Sequence, residues 1–287
     1  MKKQIALLFA AAAFFMVSCH SNGGGDGYTL KMRLNKGDKF SQAMTMDMDM
    51  NMTVMGMQKD MKMKMDIGTD FEVLDSTAAG KELKITYNKM AMHMDMGMPN
   101  TAMMDSMMNK SSSAIVGKSV VVTFSGNKVT DVKGFEEVMA ANSSDSSTRQ
   151  MMTKMFSKDN FNSMFGMMFG LYPNKPVKEG ESWSTVNNMD ISGMNMGVNT
   201  KYTLLSVKDN IAEIAVDGTV DSKGTMKQGA VNMDMDMKGT QKGKLNVKVT
   251  DGYLQTGSYD MDITADMNVM GQKMPMKMKA TYTLKGN

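Results

Sequence analysis

The stretch MTMDMDMNMTVMGMQKDMKMKMD, residues 44–66, places a methionine at almost every second position. Successive side chains of a β-strand point to opposite faces, so the alternation predicts methionine on one face and Asp, Asn, Thr or Lys on the other. From Met44 to Met52 the methionines occupy even-numbered positions, and from Met61 to Met65 they occupy odd-numbered ones. A helix would instead spread the methionines around its axis. The stretch therefore predicts an antiparallel hairpin with one thioether-rich face.

The position of the hairpin turn sets which side chains face each other. We expect the turn at Gly56-Met57, because glycine in the first position is typical of a type II′ turn. This register sets Met50 opposite Met63, so methionine faces methionine across the two strands. Opposed side chains of this kind are the unit of sheet stabilisation.

The end of the chain repeats the design. Val269-Met270-Gly271-Gln272-Lys273 is similar to Val54-Met55-Gly56-Met57-Gln58-Lys59 and lies between two further alternating segments. By the same reasoning we expect a turn at Gly271-Gln272, which sets Met267 opposite Met276.

Alternating segments fill two long regions, 28–134 and 177–285, which we interpret as two related β halves. Lys36-Gly37-Asp38 and Glu179-Gly180-Glu181 are similar turns that each lead into a strand. The apolar parity switches between Tyr87 and Met90, which predicts a β-bulge near Asn88-Lys89.

Between the halves the apolar period becomes helical. Phe161, Met164, Phe165, Met168 and Phe169 follow the spacing i, i+3, i+4, i+7, i+8, with Asp159 or Asn160 as the expected N-cap. We therefore predict an α+β fold for a single domain, 28–285. It would be a mostly antiparallel curved sheet or open barrel with a helical insertion at 135–172 lying over or inside it.

The first residues have the pattern of a secretory signal peptide, residues 1–18. Lys2 and Lys3 precede a short apolar run, and Ser18 precedes Cys19, the only cysteine. Met16-Val17-Ser18-Cys19 resembles the lipobox of bacterial lipoproteins, in which the cysteine is lipidated. Residues 19–27 would then be the lipidated cysteine and a flexible tether. The alternative is an ordinary signal peptide with an unpaired thiol.

Composition narrows the function classes. The chain has 33 Lys and Arg against 30 Asp and Glu, a balance that gives no concentrated basic surface for nucleic acid. The sequence contains no nucleophile elbow, zinc-protease, phosphate-loop or dinucleotide motif, so we expect no enzyme and no cofactor.

Thioethers are soft ligands suited to Cu(I). The densest cluster surrounds His93, and it resembles the Met- and His-rich stretches of periplasmic copper and silver proteins. In an extended strand, however, His93 points away from its two methionine neighbours, so one ion would not collect all three. The candidate Cu(I) or Ag(I) ligands are Met92, His93, Met94, Met103 and Met107.

Methionine is flexible and polarisable, so a methionine face is either an unusual core or a surface that accommodates a variable apolar partner. A cavity for a lipid or another apolar molecule would lie between the hairpin faces and the helical stripe. Its candidate residues are Met48, Met50, Met63, Met65, Met164, Phe165, Met168, Met267 and Met276.

Several motifs together resemble an uncharacterised family of Met-rich lipoproteins of Bacteroidota, a domain of unknown function. They are the lipobox at Cys19, the turn at residues 36–38, VTDVKG at 129–134, PNKPVKEGESW at 173–183 and KGTQKG at 238–243. The resemblance implies a location and no activity. A looser similarity of architecture is to LolA-like lipoprotein carriers, whose half-barrel holds acyl chains beneath helices.

The resemblance also implies two further expectations. Asp75-Ser76-Thr77 and Asp105-Ser106-Met107 resemble sites at which such bacteria O-glycosylate exported proteins, on Ser76 and Ser106. Only Asp26 is acidic in the tether, whereas the surface-export signal of these lipoproteins is acidic, so we expect a periplasm-facing anchor in the outer membrane.

The sequence thus predicts a non-enzymatic lipoprotein that contacts the membrane through its anchor and binds an apolar ligand or lipid. The alternatives are periplasmic Cu(I) or Ag(I) binding, or a structural envelope component with no small ligand. The sequence identifies no protein partner.

Overall fold

The structure is a computed structural model that describes residues 26–54, 56–95, 106, 109, 113–135, 157–191, 194–228, 231–269 and 271–287. Within these residues the chain forms eleven strands and one complete helix. In chain order they are β1 (Lys39–Val54), β2 (Met57–Ser76), β3 (Lys81–Asp95), β4 (Ser119–Ser125), β5 (Lys128–Lys133), α1 (Lys158–Gly170), β6 (Ser182–Ile191), β7 (Met194–Lys208), β8 (Ile211–Gln228), β9 (Val231–Lys248), β10 (Leu254–Val269) and β11 (Gln272–Gly286).

All eleven strands belong to one antiparallel sheet with the order β5-β4-β3-β2-β1-β11-β10-β9-β8-β7-β6. The first and last strands are therefore neighbours in the middle of the sheet, and its two edges are β5 and β6. The helix α1 lies in the chain between these two edge strands and contacts both of them. A helix packed against a sheet edge shields backbone groups that could otherwise recruit another chain.

The prediction of an α+β fold is wrong. Strands make up 70% of the described residues, and the single short helix among them adds no second layer to the open sheet. The physical reason is that polar–apolar alternation continues through almost every segment, whereas the helical period covers little more than three turns. Of the helical insertion expected at 135–172, the structure describes α1, and residues 136–156 lie outside the described part of the chain.

The first methionine hairpin turns one residue earlier than predicted. Val54 pairs with Met57, so Gly56 is the second residue of the turn and not the first. Its φ of +76° suits that second position, whereas a type II′ turn needs the positive φ at the first. Met50 consequently faces Met61, two residues from its predicted partner.

The second hairpin differs from the prediction in the same way. Gly271, with φ +85°, is the second turn residue, so Met267 faces Met274. The predicted partner, Met276, faces Ala265 instead. Because the register shifts by two residues, every side chain stays on its expected face.

The predicted bulge near residues 88–89 is confirmed. Gly68 of β2 pairs with Lys89 and Thr69 pairs with Tyr87, which leaves Asn88 as the extra residue of β3. The bulge reverses the parity of β3, so that its apolar side chains remain on one face along the whole strand.

The helix begins one residue after Ser157, which is the N-cap in place of the expected Asp159 or Asn160. The Ser157 hydroxyl accepts a hydrogen bond of 3.2 Å from the backbone N–H of Asn160. The helix therefore starts earlier than predicted. Phe161 and Phe165, one turn apart on the same face of it, are both less than 4% exposed.

The sheet has one apolar face and one charged face. The inner face carries the buried side chains of the strands, among them Phe40, Met46, Val198, Leu245 and Ala280. The outer face carries cross-strand ion pairs, Lys64–Asp47 at 3.6 Å, Lys279–Asp262 at 3.6 Å and Lys242–Asp217 at 4.0 Å. Exposed pairs contribute about 0–1 kcal/mol each, so the buried inner face supplies most of the stability.

The core lies at the end of the sheet that is covered by α1 and by residues 28–34. Leu30, Met32 and Leu34 of this N-terminal segment are each no more than 6% exposed. Tyr28 pairs with Val177, and this bridge fixes the segment beside the chain that follows the helix.

The two turns of similar sequence also have similar hydrogen bonds. The N–H of Gly37 donates to the carbonyl of Val73 at 2.8 Å, and the N–H of Gly180 donates to the carbonyl of Leu204 at 2.7 Å. Their φ values are +88° and +86°. Each turn thus docks the start of the strand that follows it, β1 or β6, onto the neighbouring strand, β2 or β7.

Candidate ligand cavity

A cavity of about 250 Å³ lies between α1 and the inner face of the sheet. Its helix side is formed by Met167, Met168 and Leu171, and the N-terminal segment adds Met32. Its sheet side is formed by apolar and aromatic residues of β7–β11, namely Val198, Tyr202, Val216, Leu245, Leu254, Tyr259 and Leu284. None of the residues that line it is charged, so the cavity favours a neutral or apolar occupant.

Four neutral polar side chains interrupt the apolar wall. Gln241 donates a hydrogen bond of 2.6 Å from Nε2 to Oγ1 of Thr200, and Thr200 is only 3% exposed. Gln42 and Asn187 line the same cavity. Amide and hydroxyl groups at this position can orient the polar end of a bound molecule without introducing charge.

The tyrosines beside the cavity remain neutral. Burial raises the pKa of Tyr259 and of Tyr202 above the ordinary value for a phenol. The Tyr259 ring stacks on that of Tyr282, with centroids 4.6 Å apart and planes 12° apart. Tyr202 and Tyr259 therefore form an uncharged part of the wall, and stacking on Tyr282 holds the Tyr259 ring in place.

The predicted helix residues have three different environments. Met168 lines the cavity. Phe165 is fully buried in the core, whereas Met164 is 42% exposed on the far side of the helix. Met167 was not singled out from the sequence, because it falls outside the i, i+3, i+4 stripe although it borders the cavity.

The predicted sheet methionines lie on the inner face, but nearer to the hairpin turns than the cavity does. These residues are Met48, Met50, Met63, Met65, Met267 and Met276, and none of them lines the cavity.

One feature of the sequence does indicate the cavity. Gln42 stands between Phe40 and Met44 at an apolar-parity position of β1, which marks a polar side chain on an apolar face.

The metal candidates divide between the two faces of the sheet. Met92 and Met94 lie on the inner face opposite Met65 and Met63, whereas His93 lies on the outer face opposite Lys64. Of the other two candidates, 103 and 107 are outside the described residues. In the described part of the chain, no three His, Cys, Asp or Glu residues come together as a metal site.

The two serines predicted as glycosylation sites differ in exposure. The Ser76 hydroxyl donates a hydrogen bond of 2.7 Å to the carbonyl of Leu34 and is half-buried, whereas Ser106 is exposed. Residues 1–25, which include the predicted signal peptide, Cys19 and most of the predicted tether, lie outside the described residues. Among the helices that are described, none is long and apolar enough to cross a bilayer.

Comparison with known proteins gives a family and three distant structural similarities. A model described as a family of unknown function (DUF6263) matches residues 78–254, and no curated protein matches the sequence. A structure that describes lipid–protein interactions in lipovitellin is 10% identical with a TM-score of 0.48. The match covers 89% of this chain but only 25% of that one, so this chain spans about a quarter of its length.

Two bacterial proteins are more distant. An outer membrane channel from Pseudomonas putida F1 is 6% identical with a TM-score of 0.20, over 92% of this chain and 99% of the channel. OccK7 (OpdD) of Pseudomonas aeruginosa is 7% identical with a TM-score of 0.20, over 87% and 99%. At these values none of the three likenesses supports a functional assignment.

Proposed function

The chain belongs to DUF6263, a family of unknown function, and we propose from its geometry that it binds a small apolar molecule or a single acyl chain between α1 and the sheet. The observation that carries the proposal is the uncharged, mainly apolar cavity of about 250 Å³. This volume is just below the ~300–1,000 Å³ typical of ligand pockets, so it suits one slender ligand.

The two walls of the cavity have different physical properties. The sheet wall is held by backbone hydrogen bonds along every strand, so its shape is fixed. The helix wall consists largely of Met167 and Met168, whose unbranched thioether side chains adapt to different shapes. This combination favours a chain of variable length or saturation over one rigid substrate.

We also propose that the protein is anchored by Cys19 to the outer membrane, facing the periplasm, and that it performs no covalent chemistry. The support is the signal-peptide-like pattern of residues 1–18, the lipobox-like Met16-Val17-Ser18-Cys19 and the absence of catalytic motifs from the sequence. Metabolic labelling with a palmitate analogue tests the anchor, since Cys19→Ser should abolish the label.

A lipid extraction of the purified native protein tests the ligand proposal. Mass spectrometry of the extract should show a bound apolar molecule in near-stoichiometric amount. The stripped protein should then bind a naphthylamine fluorescent probe at one saturable site from which dodecanol displaces it. An empty extract together with non-saturable probe binding would refute the proposal.

A second candidate, Cu(I) or Ag(I) binding, is favoured by the strand register. Met48, Met63 and Met94 lie side by side on the inner faces of three neighbouring strands. Facing Cβ atoms are about 4.5–5.5 Å apart, a distance that thioether side chains can span, and sulfur ligands suit these soft ions. The row therefore offers three sulfurs without any contribution from His93.

Anaerobic titration with Cu(I) against a competing chelator decides this second candidate. Met63→Leu should weaken binding if the row holds the ion, whereas Met57→Leu, at a position 58% exposed, should not. An affinity no tighter than micromolar would count against a metal function.

A further inference from the structure

A second cavity, of about 410 Å³, lies beside the first one. It is bounded by the N-terminal segment, the turn between β4 and β5, and the chain that follows α1. Its wall includes Leu30, Leu34, Phe124 and Phe169, together with two cationic side chains, Lys31 and Lys81. No acidic residue lines it, so the cavity presents positive charge above an apolar wall.

Lys81 is the unusual member of this set, because it lies on the inner face of the sheet. It pairs with Phe124 and shares its face with Leu83 and Ile85, which are both buried. Its Nζ donates a hydrogen bond of 3.1 Å to the carbonyl of Leu34, and it forms no ion pair with any described carboxylate. A half-buried ammonium whose contact is a neutral oxygen is an incomplete arrangement, which an anion would complete.

The two cavities share part of their walls. Met32 and Tyr172 line both of them. The Tyr172 hydroxyl donates a hydrogen bond to the carbonyl of Gly252, which holds that ring in place. Met32 has only a flexible thioether chain, so its rotation is the simplest way to join the two spaces.

We propose that the ligand is a single-chain anionic amphiphile, with its head group at Lys81 and Lys31 and its chain directed past Met32 into the cavity beneath α1. This inference rests on the proposed function and specifies the ligand class. Carboxylates and phosphates share the required chemistry, since each offers oxygen acceptors to an ammonium donor. The polar residues near Thr200 then lie at the far end of the chain.

Displacement of the naphthylamine probe by dodecanoate, dodecyl phosphate and dodecanol tests the head group. The wild-type protein should bind at least one of the two anions about tenfold more tightly than the alcohol. Which anion binds more tightly distinguishes a fatty acid from a lipid phosphate. Lys81→Met should lower the affinity for the preferred anion about tenfold, to near that for dodecanol, while Lys81→Arg should retain the preference.

The variants are chosen so that folding does not decide the result. In Lys81→Met the Leu34 carbonyl keeps its hydrogen bond from Ser76, so the N-terminal segment stays docked. Lys201→Met, on the outer face of β7, removes the same charge elsewhere and should retain the preference.

Equal binding of anions and alcohol by the wild type, or a preference that survives in Lys81→Met, would overturn the head-group site while leaving the proposed function intact. Failure of all three ligands to displace the probe would overturn both.

Chain length tests the route past Met32. Met32→Ala opens the shared wall, so the gain in affinity from the eight-carbon to the twelve-carbon carboxylate should increase relative to wild type. A gain that is unchanged in Met32→Ala, with both ligands still bound, would show that the chain does not pass this residue.

Discussion

The ring of Phe165 stands edge-on to the ring of Phe124, with centroids 4.6 Å apart and planes at 86°. Phe165 is on α1 and Phe124 is on β4, and both are no more than 1% exposed. The contact therefore fixes the helix against the side of the sheet that ends in β5, and with it the position of Met167 and Met168 over the cavity.

Phe165→Ala should lower the free energy of unfolding by about 3–5 kcal/mol, because it removes a fully buried ring and leaves a cavity. Urea denaturation followed by tryptophan fluorescence measures the change. Met164→Ala, one residue away and 42% exposed, should change stability by no more than about 0.5 kcal/mol. Similar losses in the two variants would show that the helix is not held through Phe165.

Gly37→Ala and Gly180→Ala should each lower the free energy of unfolding by about 1–2 kcal/mol, because alanine is strained in the left-handed backbone conformation at φ near +87°. No atom lies within 4 Å of the added Cβ at either site, so the cost is conformational in both. Thermal unfolding of the two variants should therefore give similar shifts.

Gly166→Ala is the matched control for these glycines. Gly166 lies inside α1, where its added Cβ would meet only Asn187 Oδ1, at 3.6 Å. Alanine should raise helix stability there by about 0.5–1 kcal/mol. If only one of the two turn variants lost stability, the positive φ would not be the common cause of the loss.

Alternation in the sequence was sufficient to predict the strands and their faces. The even-numbered methionines of β1 share the inner face as predicted, and the parity change around Asn88 located the bulge correctly. The turn positions were wrong because a shift of two residues preserves parity. Only the backbone conformation of Gly56 and Gly271 distinguishes the two registers.

The cavity was harder to predict, because it depends on long-range pairing. Its walls come from both halves of the chain, and they meet only because β1 pairs with β11. The sequence did not show which part of the inner face α1 would cover, so methionines near the turns were chosen in place of Val198 and Leu245. The inward-facing Lys81, two residues before Leu83, was a readable but unused signal.

Lowering the pH should reduce the free energy of unfolding through Asp66, which lies on the outer face of β2. The Thr45 hydroxyl donates to its carboxylate at 2.7 Å and Lys89 lies 3.0 Å from it, and these contacts lower the pKa of Asp66. Because the folded-state pKa is lowered, the stabilisation is present above the unfolded pKa of about 3.9 and is lost as pH falls through the folded value.

Asp66→Asn should therefore cost up to about 1 kcal/mol near pH 7 and progressively less below pH ~4. Urea midpoints measured across this range give the difference between wild type and variant. Thr45→Val should reduce the same pH dependence, since it removes the first of the two contacts. A difference that stays constant with pH would contradict the assignment to Asp66.

Val198→Phe should reduce affinity for the naphthylamine probe by about tenfold or more, because the larger ring enters the cavity that Val198 lines. The fold should tolerate the change better than the usual 1–3 kcal/mol cost of overpacking, since open space lies next to the side chain. Val186→Phe makes the same substitution at a position 68% exposed on β6 and should leave probe affinity unchanged. If Val198→Phe kept full affinity while remaining folded, the probe would bind somewhere other than beneath α1, and the cavity would lose its role as the ligand site.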